Sequence, residues 1–230
     1  MTMGLILLAV MAIALFLISG RRSFTSMGVP AWIAFIAIAA LAIGIIVPSI
    51  SIGAEFTMSV GGFIVPSIIM FALLAVLIVR GGVLRGVASM LAVTAVTTAL
   101  LLIMPTYNTG YEILTVFVVG LVAGAVAYMV SRTPSASLFG VVGGLVLGNV
   151  IVTMMEYFTG NMAVFMLGQS VIYNAIFVGI IFAFCLAEIA VMAVKMMGEE
   201  NRHSRRSSSF EAGEDSSFDR DDNDDYDLFR

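Results

Sequence analysis

The 230-residue chain is 60% hydrophobic and only 11% charged, whereas soluble domains carry about 25% charged residues. A chain with so few polar groups cannot cover its apolar side chains in water, so the composition excludes an ordinary soluble protein and predicts a lipid-embedded one. The single cysteine, Cys185, and the single histidine, His203, exclude an intrachain disulfide, a cysteine- or histidine-rich metal site and a bis-histidine haem. We expect no cofactor.

Seven apolar stretches are long enough to cross about 30 Å of hydrocarbon as helices. They are Met3–Ser19, Ala31–Ile50, Thr57–Val79, Gly86–Met104, Ile113–Val130, Leu138–Met155 and Ser170–Val194. We therefore predict an all-α fold in two parts. Residues 1–198 form a polytopic bundle of seven transmembrane helices, and residues 199–230 form a separate tail.

Basic residues occur only at alternate turns between these stretches. The turns after the first, third and fifth stretches, and the segment after the seventh, hold Arg21, Arg22, Arg80, Arg85, Arg132 and Lys195. The other turns contain no Lys or Arg and hold Glu55, Glu112 and Glu156. Because Lys and Arg are retained on the cytoplasmic side, we predict a prokaryotic-type inner (plasma) membrane protein with its N-terminus outside and its C-terminus inside.

The first stretch has an alternative interpretation as a cleaved signal peptide. Met1–Gly4 carries no positive charge, the apolar run is longer than the usual core of a signal peptide, and Arg21 and Arg22 follow it. These features favour a membrane anchor.

The tail differs in composition from the rest of the chain. Residues 199–230 hold eleven of the fifteen acidic residues and are rich in Ser, Asp and Glu, so we expect them to be disordered. Two similar motifs, Ser-Ser-Phe-Glu and Ser-Ser-Phe-Asp, contribute aromatic residues that continue to the end of the chain: Phe210, Phe218, Tyr226 and Phe229. The tail is either a docking segment for a cytoplasmic protein, with phosphorylation sites near Ser207, or a solubilising charged tail.

The sequence Ile-Val-Pro-Ser-Ile occurs twice, around Pro48 and around Pro66, on either side of the turn that holds Glu55. Proline removes a backbone donor, and Gly61 and Gly62 before the second copy permit unwinding, so these four residues predict helix breaks. Transporters use paired broken helices to expose backbone groups. The alternative is a helical hairpin whose two ends are bent by proline.

Gly140, Gly144 and Gly148 recur at every fourth residue of the sixth stretch. A stripe without Cβ atoms lets another helix approach closely, because packing drives helix association in lipid. We predict tight helix packing at this stripe, and a homo-oligomer through the same face is a further hypothesis.

Three polar residues interrupt the apolar stretches: Asn149, Asn174 and Glu188. Asn174 and Glu188 are fourteen residues apart and therefore share a helix face. Polar groups inside a membrane are costly and often functional, so these residues form a candidate intramembrane site. The alternative for Glu188 is a neutral, hydrogen-bonded carboxyl or one that extends towards the headgroups near Lys195.

No arrangement of residues in the sequence predicts catalysis. An aspartyl protease needs two carboxyls that share a proton, whereas the stretches offer Glu188 alone. No histidine is near a serine or threonine for a catalytic triad, and the glycine pairs lack the lysine of a phosphate loop. No basic surface interleaved with aromatic residues predicts nucleic-acid binding.

Three segments together resemble a prokaryotic multispanning membrane family known as domain of unknown function 1614. Ser59–Pro66 looks like that family's Asn-Val-Gly-Gly-x-x-Ile-Pro segment, and Gly144–Asn149 is similar to its glycine-rich helix ending in Gly-Ala-Asp. Leu167–Ile181 looks like its Ile-Gly-Gly-Ala-Gly-Thr-Phe-Asp-Gly-Ile-Phe-Leu-Thr-Gly-Ile segment. The resemblance implies a divergent member of the family, whose activity is not established.

The resemblance fails at two positions that matter for chemistry. Where the family pattern has aspartates, this chain has Asn149 and Asn174. An asparagine keeps its hydrogen bonds but cannot ionise, so it can neither act as a general base nor hold a titrating proton.

These observations give three functional hypotheses. The first is a non-enzymatic scaffold, assembly factor or regulator that acts through its cytoplasmic tail. The second is a small transporter or permease that uses the proline-broken helices with Asn149, Asn174 and Glu188. The third, a degenerate intramembrane hydrolase, has the least support because the second carboxyl is missing.

Overall fold

The computed structural model describes residues 47, 49–53, 55–104, 112–160, 164–168, 171–187 and 189–190. The first predicted helix, the second up to residue 46, Pro48, Glu188, the end of the seventh helix from residue 191 and the tail with its four aromatic residues lie outside the described residues. The chain divides into two units, Met1–Ala187 and Glu188–Arg230.

The first unit is mainly helical in its described part. Its helices are α1 (Val65–Arg80), α2 (Val83–Ile103), α3 (Glu112–Ser131), α4 (Pro134–Phe158) and the shorter α5 (Val171–Ala187). A π-helical turn, Val60–Ile64, leads directly into α1. Among the described residues, four helices are long and apolar enough to cross a membrane: α2, α3, α4, and α1 together with its π-helical turn.

The third to sixth predicted stretches coincide with these four helices to within a few residues, and α5 lies inside the seventh. Two predicted boundaries are wrong. The apolar pattern extends the second stretch to Ile50 and starts the third at Thr57, but both residues lie in short strands. The described part of the segment between the prolines holds a β-hairpin, followed by a π-helical turn.

Three short strands form a sheet at one end of the helices. β1 (Ile50–Ile52) pairs antiparallel with β2 (Phe56–Met58), and β2 pairs parallel with β3 (Phe165–Leu167). The hairpin turns at Gly53, whose φ of 77° favours glycine. The sheet ties the segment before α1 to the segment before α5.

The core of the unit is centred on α4. Within the 18-residue windows compared, 67% of the α4 window is buried, against 17–39% for the other three helices of membrane-spanning length. α4 packs against α1, α2 and α3, and Leu145 and Ile176 place α5 in the same apolar core. Large apolar side chains on the outer surfaces, such as Phe71, Leu91 and Phe117, are exposed, as expected of surfaces that face lipid.

The two ends of the bundle differ in charge. Arg80 and Arg85 lie beside Thr133, which follows Arg132, and we call this the basic end. Glu55 lies at the opposite end, where its carboxylate accepts a hydrogen bond from the Tyr157 hydroxyl at 3.3 Å. We call that the acidic end, since Glu112 and Glu156 also lie at helix termini there.

Candidate functional site

Two backbone segments cross at the acidic end with no room for side chains. A methyl group on Gly62 would collide with the carbonyl oxygen of Gly168, and one on Gly168 would lie 2.6 Å from the carbonyl carbon of Gly62. Gly168 also has a φ of 80°, which favours glycine. The Ser59 N–H donates to the Leu167 carbonyl at 2.9 Å, which fixes the crossing to β3.

The irregularity predicted at Gly61, Gly62 and Pro66 takes the form of a widened turn. Ser59 caps this π-helical turn, because its hydroxyl accepts a hydrogen bond from the Gly62 N–H at 3.1 Å. Pro66 follows the π-helical turn directly and lies in the first turn of α1, so the widened turn and the proline stand together at the start of one continuous helical segment, Val60–Arg80. The Ser67 hydroxyl donates to the Phe63 carbonyl at 2.7 Å, which satisfies one carbonyl of the widened turn. π-helical turns of this kind are frequent at functional sites.

The glycine stripe of α4 packs against α2 of the same chain. A methyl group on Gly140 would collide with the Ser89 hydroxyl, one on Gly144 would lie 2.5 Å from Val93 Cβ, and one on Gly148 would lie 2.6 Å from Thr97 Oγ1. The stripe thus brings two helices together along several turns. Its face is already occupied within the chain, so it is not open to a second copy in this conformation.

A second glycine contact joins α3 to α5. A methyl group on Gly120 would lie 2.6 Å from Val178 Cβ, and one on Gly124 would lie 2.7 Å from the Gly179 carbonyl oxygen. Glycines therefore bring two pairs of helices into close contact, α2 with α4 and α3 with α5.

Most hydroxyl groups between α2 and α4 bond to backbone carbonyls. Thr97 donates to the Val93 carbonyl at 2.7 Å, and Thr94 donates to the Met90 carbonyl at 2.8 Å. Ser89 donates at 3.1 Å to the carbonyl of Ala127 on α3. These hydroxyls are satisfied without any ligand.

Three buried side-chain atoms of the described residues have no hydrogen-bond partner: Thr98 Oγ1, Asn149 Nδ2 and Asn174 Oδ1. Asn149 is only 4% exposed. A buried polar atom without a partner loses its interactions with water and gains nothing in return, so such atoms are rare in folded proteins. Thr98 lies beside Gly148, the residue before Asn149, because a methyl group on Gly148 would lie 3.5 Å from Thr98 Oγ1.

Asn149 is connected to the crossing at the acidic end through the next turn of α4. Thr153, four residues later, donates its hydroxyl to the carbonyl of Met166 on β3 at 3.4 Å. Asn149, Thr153, β3 and the Gly62–Gly168 crossing therefore belong to one region, which we call the acidic-end site. Asn174 is on α5, beyond β3, and Glu188 lies outside the described residues.

Sequence reasoning missed Thr153 and Gly168, which belong to this site, and Thr98, which lies beside Gly148. Hydroxyl residues are common in apolar helices, and the one signal at Gly168 is a glycine directly after a short apolar run. Their role depends on contacts with residues more than ten positions away, which no local pattern records.

The acidic-end site offers amide and hydroxyl groups. Such groups donate and accept hydrogen bonds and do not ionise at neutral pH, so they can orient a polar molecule. Among the described residues, no group of three or more His, Cys, Asp or Glu side chains is placed to hold a metal ion.

Comparisons of the chain with protein-family models, with curated proteins and with solved structures give no match. The resemblance to domain of unknown function 1614 therefore stays a prediction. The fold supports the coarser conclusion that the chain has several helices suited to a membrane, which is compatible with a membrane protein.

Proposed function

We propose that this chain is a non-enzymatic multi-pass protein of the cell membrane, a scaffold, assembly or regulatory component whose helical body anchors the tail in the cytoplasm. In this proposal, residues 199–230 bind a cytoplasmic protein through the aromatic residues Phe210, Phe218, Tyr226 and Phe229 in their acidic surroundings.

The observation that carries this proposal is the direction of α5. The helix starts after β3 at the acidic end, and its later residues Phe184 and Ala187 pack in one cluster with Tyr128, near the end of α3. α5 thus runs towards the basic end, which is the end that stays in the cytoplasm under the distribution of Lys and Arg. The interlocked glycine contacts support a rigid anchor for the tail.

A scrambled tail tests whether the tail docks or only solubilises. We would place a photo-crosslinking amino acid at Phe218 of the full-length chain in living cells and compare the native tail with a tail of identical composition in random order. Docking predicts one discrete crosslinked protein with the native order and its loss with the scrambled order. A solubilising tail would give the same pattern for both.

A second variant separates aromatic from electrostatic recognition. It carries the crosslinker at Ser217 and has serine in place of Phe210, Phe218, Tyr226 and Phe229. Its net charge is unchanged, so retained crosslinking would contradict a role for the aromatic residues.

The unpartnered atoms of Thr98, Asn149 and Asn174 favour a second candidate, a permease for small uncharged polar solutes. The three residues with unpartnered atoms are neutral hydrogen-bonding groups, which suits a solute such as glycerol or urea.

Light-scattering measurements on proteoliposomes loaded against glycerol or urea test this candidate. We expect Asn149→Leu and Asn174→Leu to reduce flux, whereas Thr97→Val leaves it unchanged because the Thr97 hydroxyl is already bonded within its own helix. Equal flux in all variants would remove these residues from any pathway. The same Asn149→Leu protein should be no less stable to heat, since it removes a buried donor that has no partner.

A further inference from the structure

A cavity of about 470 Å³ opens at the basic end, far from the acidic-end site. Its wall comes from two turns: the α1–α2 turn contributes Arg80, Gly82 and Arg85, and the start of α4 contributes Thr133 and Ser135. The volume falls in the range that protein pockets use for small ligands or a substantial part of a larger one.

The electrostatics of the cavity favour an anion. Two of its lining residues are arginines, and no carboxylate is among the lining residues that the structure describes. Arginine presents several N–H donors in a planar fork that matches the oxygens of a phosphate group. The described glutamates Glu55, Glu112 and Glu156 belong to the acidic end.

Backbone donors add to the arginines. α2 begins after Gly82 and α4 begins after Thr133, and neither helix has a side-chain cap. The first residue of α4, Pro134, has no N–H, so the backbone donors of that helix begin at Ser135. Uncapped first turns carry partial positive charge and donate hydrogen bonds to anions. The Ser135 side chain contributes a further hydroxyl to the wall.

The surroundings of the cavity place it at the level of lipid headgroups. Val79, next to Arg80, is 88% exposed, and Leu84, next to Arg85, is 84% exposed. Apolar side chains this exposed are expected to contact lipid, whereas arginines at helix ends extend to the interface. The cavity thus lies where the apolar surface of the bundle gives way to charge.

We propose that this cavity binds a phosphate group, and that its source is the headgroup of an anionic phospholipid of the cytoplasmic leaflet. Arg80 and Arg85 hold the phosphate oxygens, and the first N–H groups of α2 and α4 complete the binding site. The acyl chains extend along the exposed apolar surface that includes Val79 and Leu84. The ligand couples the α1–α2 turn to the start of α4 and so braces the basic end.

Ligand-dependent thermal unfolding of the purified full-length chain in detergent tests this proposal. The probes are short-chain phosphatidylglycerol, short-chain phosphatidylcholine as a zwitterionic lipid with the same acyl chains, and inorganic phosphate. We expect phosphatidylglycerol to raise the midpoint of unfolding in a saturable manner, and the Arg80→Gln/Arg85→Gln double variant to bind it about tenfold more weakly or worse.

Arg132→Gln is the matched control, because Arg132 is an exposed arginine at the same end that does not line the cavity. It should bind phosphatidylglycerol within about twofold of the native chain, since a single exposed charge outside the cavity contributes little. A loss as large as that of the double variant would show general surface attraction and overturn the site.

The three probes separate the sources of the phosphate group. Stabilisation by phosphatidylglycerol but not by inorganic phosphate supports the lipid headgroup. Stabilisation by inorganic phosphate alone keeps the phosphate site and overturns the lipid source. No arginine-dependent stabilisation by either probe, or equal stabilisation by phosphatidylcholine, overturns the proposal. Circular dichroism of the double variant without ligand establishes that it is folded.

Discussion

Gly143 and Gly144 are adjacent on α4, but a methyl group at the two positions would meet neighbours of different stiffness. At Gly144 it would lie 2.5 Å from Cβ and Cγ1 of Val93, and 3.1 Å from the Met90 carbonyl oxygen. At Gly143 the nearest atoms are Sδ of Met90, at 2.8 Å, and Sδ of Met70, at 3.2 Å. A β-branched valine has few rotamers, whereas methionine adapts its shape readily.

We therefore expect Gly144→Ala to destabilise the helix bundle by about 1–3 kcal/mol, the usual range for overpacking a core. Gly143→Ala should cost clearly less, because Met90 and Met70 can move aside. The measurement is thermal unfolding of the two variants in the same detergent. Equal losses would mean that the bundle is not packed as tightly between α2 and α4 as the contacts indicate.

At the scale of elements, two glycines in separate segments form the backbone crossing at the acidic end: Gly62, before α1, and Gly168, before α5. Gly168 and Gly53 have almost the same backbone conformation, with φ values of 80° and 77°. The two glycines differ in the free space around them. A methyl group on Gly53 would have nothing within 4 Å. One on Gly168 would lie 2.6 Å from the carbonyl carbon of Gly62 and 2.8 Å from the Phe63 nitrogen. Gly53 is therefore a matched control for the strain of positive φ.

Gly53→Ala should cost about 1–2 kcal/mol, which is the penalty of a left-handed conformation for a residue with a Cβ atom. Gly168→Ala adds collisions with backbone atoms that cannot rotate away, so we expect it to open the crossing. Hydrogen exchange detects this at the Ser59 N–H, which donates to Leu167 across the crossing. Faster exchange at Ser59 in Gly53→Ala, or unchanged exchange in Gly168→Ala, would contradict this account.

The elements also show what the sequence can and cannot predict. α2, α3 and α4 follow from uninterrupted apolar length, which is set locally and needs no knowledge of neighbours. The apolar pattern places Ile50 and Thr57 in helices, because short apolar-rich segments fit either a helix or a strand. Both residues lie in strands because β3, more than a hundred residues later, pairs with β2 and completes the sheet.

Contacts between residues far apart in the sequence also limit how much of the acidic-end site the sequence predicts. The sequence singles out Asn149 because an amide is conspicuous within an apolar helix. It does not single out Thr98 or Thr153, because a hydroxyl in a helix usually bonds to its own backbone. Only the packing of α2 and β3 against α4 separates the unpartnered Thr98 from the satisfied Thr97.

For the molecule as a whole, the charge of the two ends is the property that decides orientation. The cavity residues bring Arg80 and Arg85 to the same end as Thr133, while Glu55 and Tyr157 meet at the other. Because cationic turns stay on the cytoplasmic side, the basic end should face the cytoplasm and the acidic end the outside. Both the tail hypothesis and the source of the phosphate group depend on this orientation.

Labelling of introduced cysteines in cells measures the orientation directly. In a Cys185→Ala background, which removes the only native cysteine, Glu55→Cys and Arg132→Cys place one thiol at each end, both at exposed positions. A membrane-impermeant maleimide should label Glu55→Cys in intact cells and label Arg132→Cys only after permeabilisation. The reverse pattern would invert the protein and place the phosphate cavity outside. Labelling of both thiols in intact cells would contradict a single orientation, whereas the Cys185→Ala chain alone reports the background.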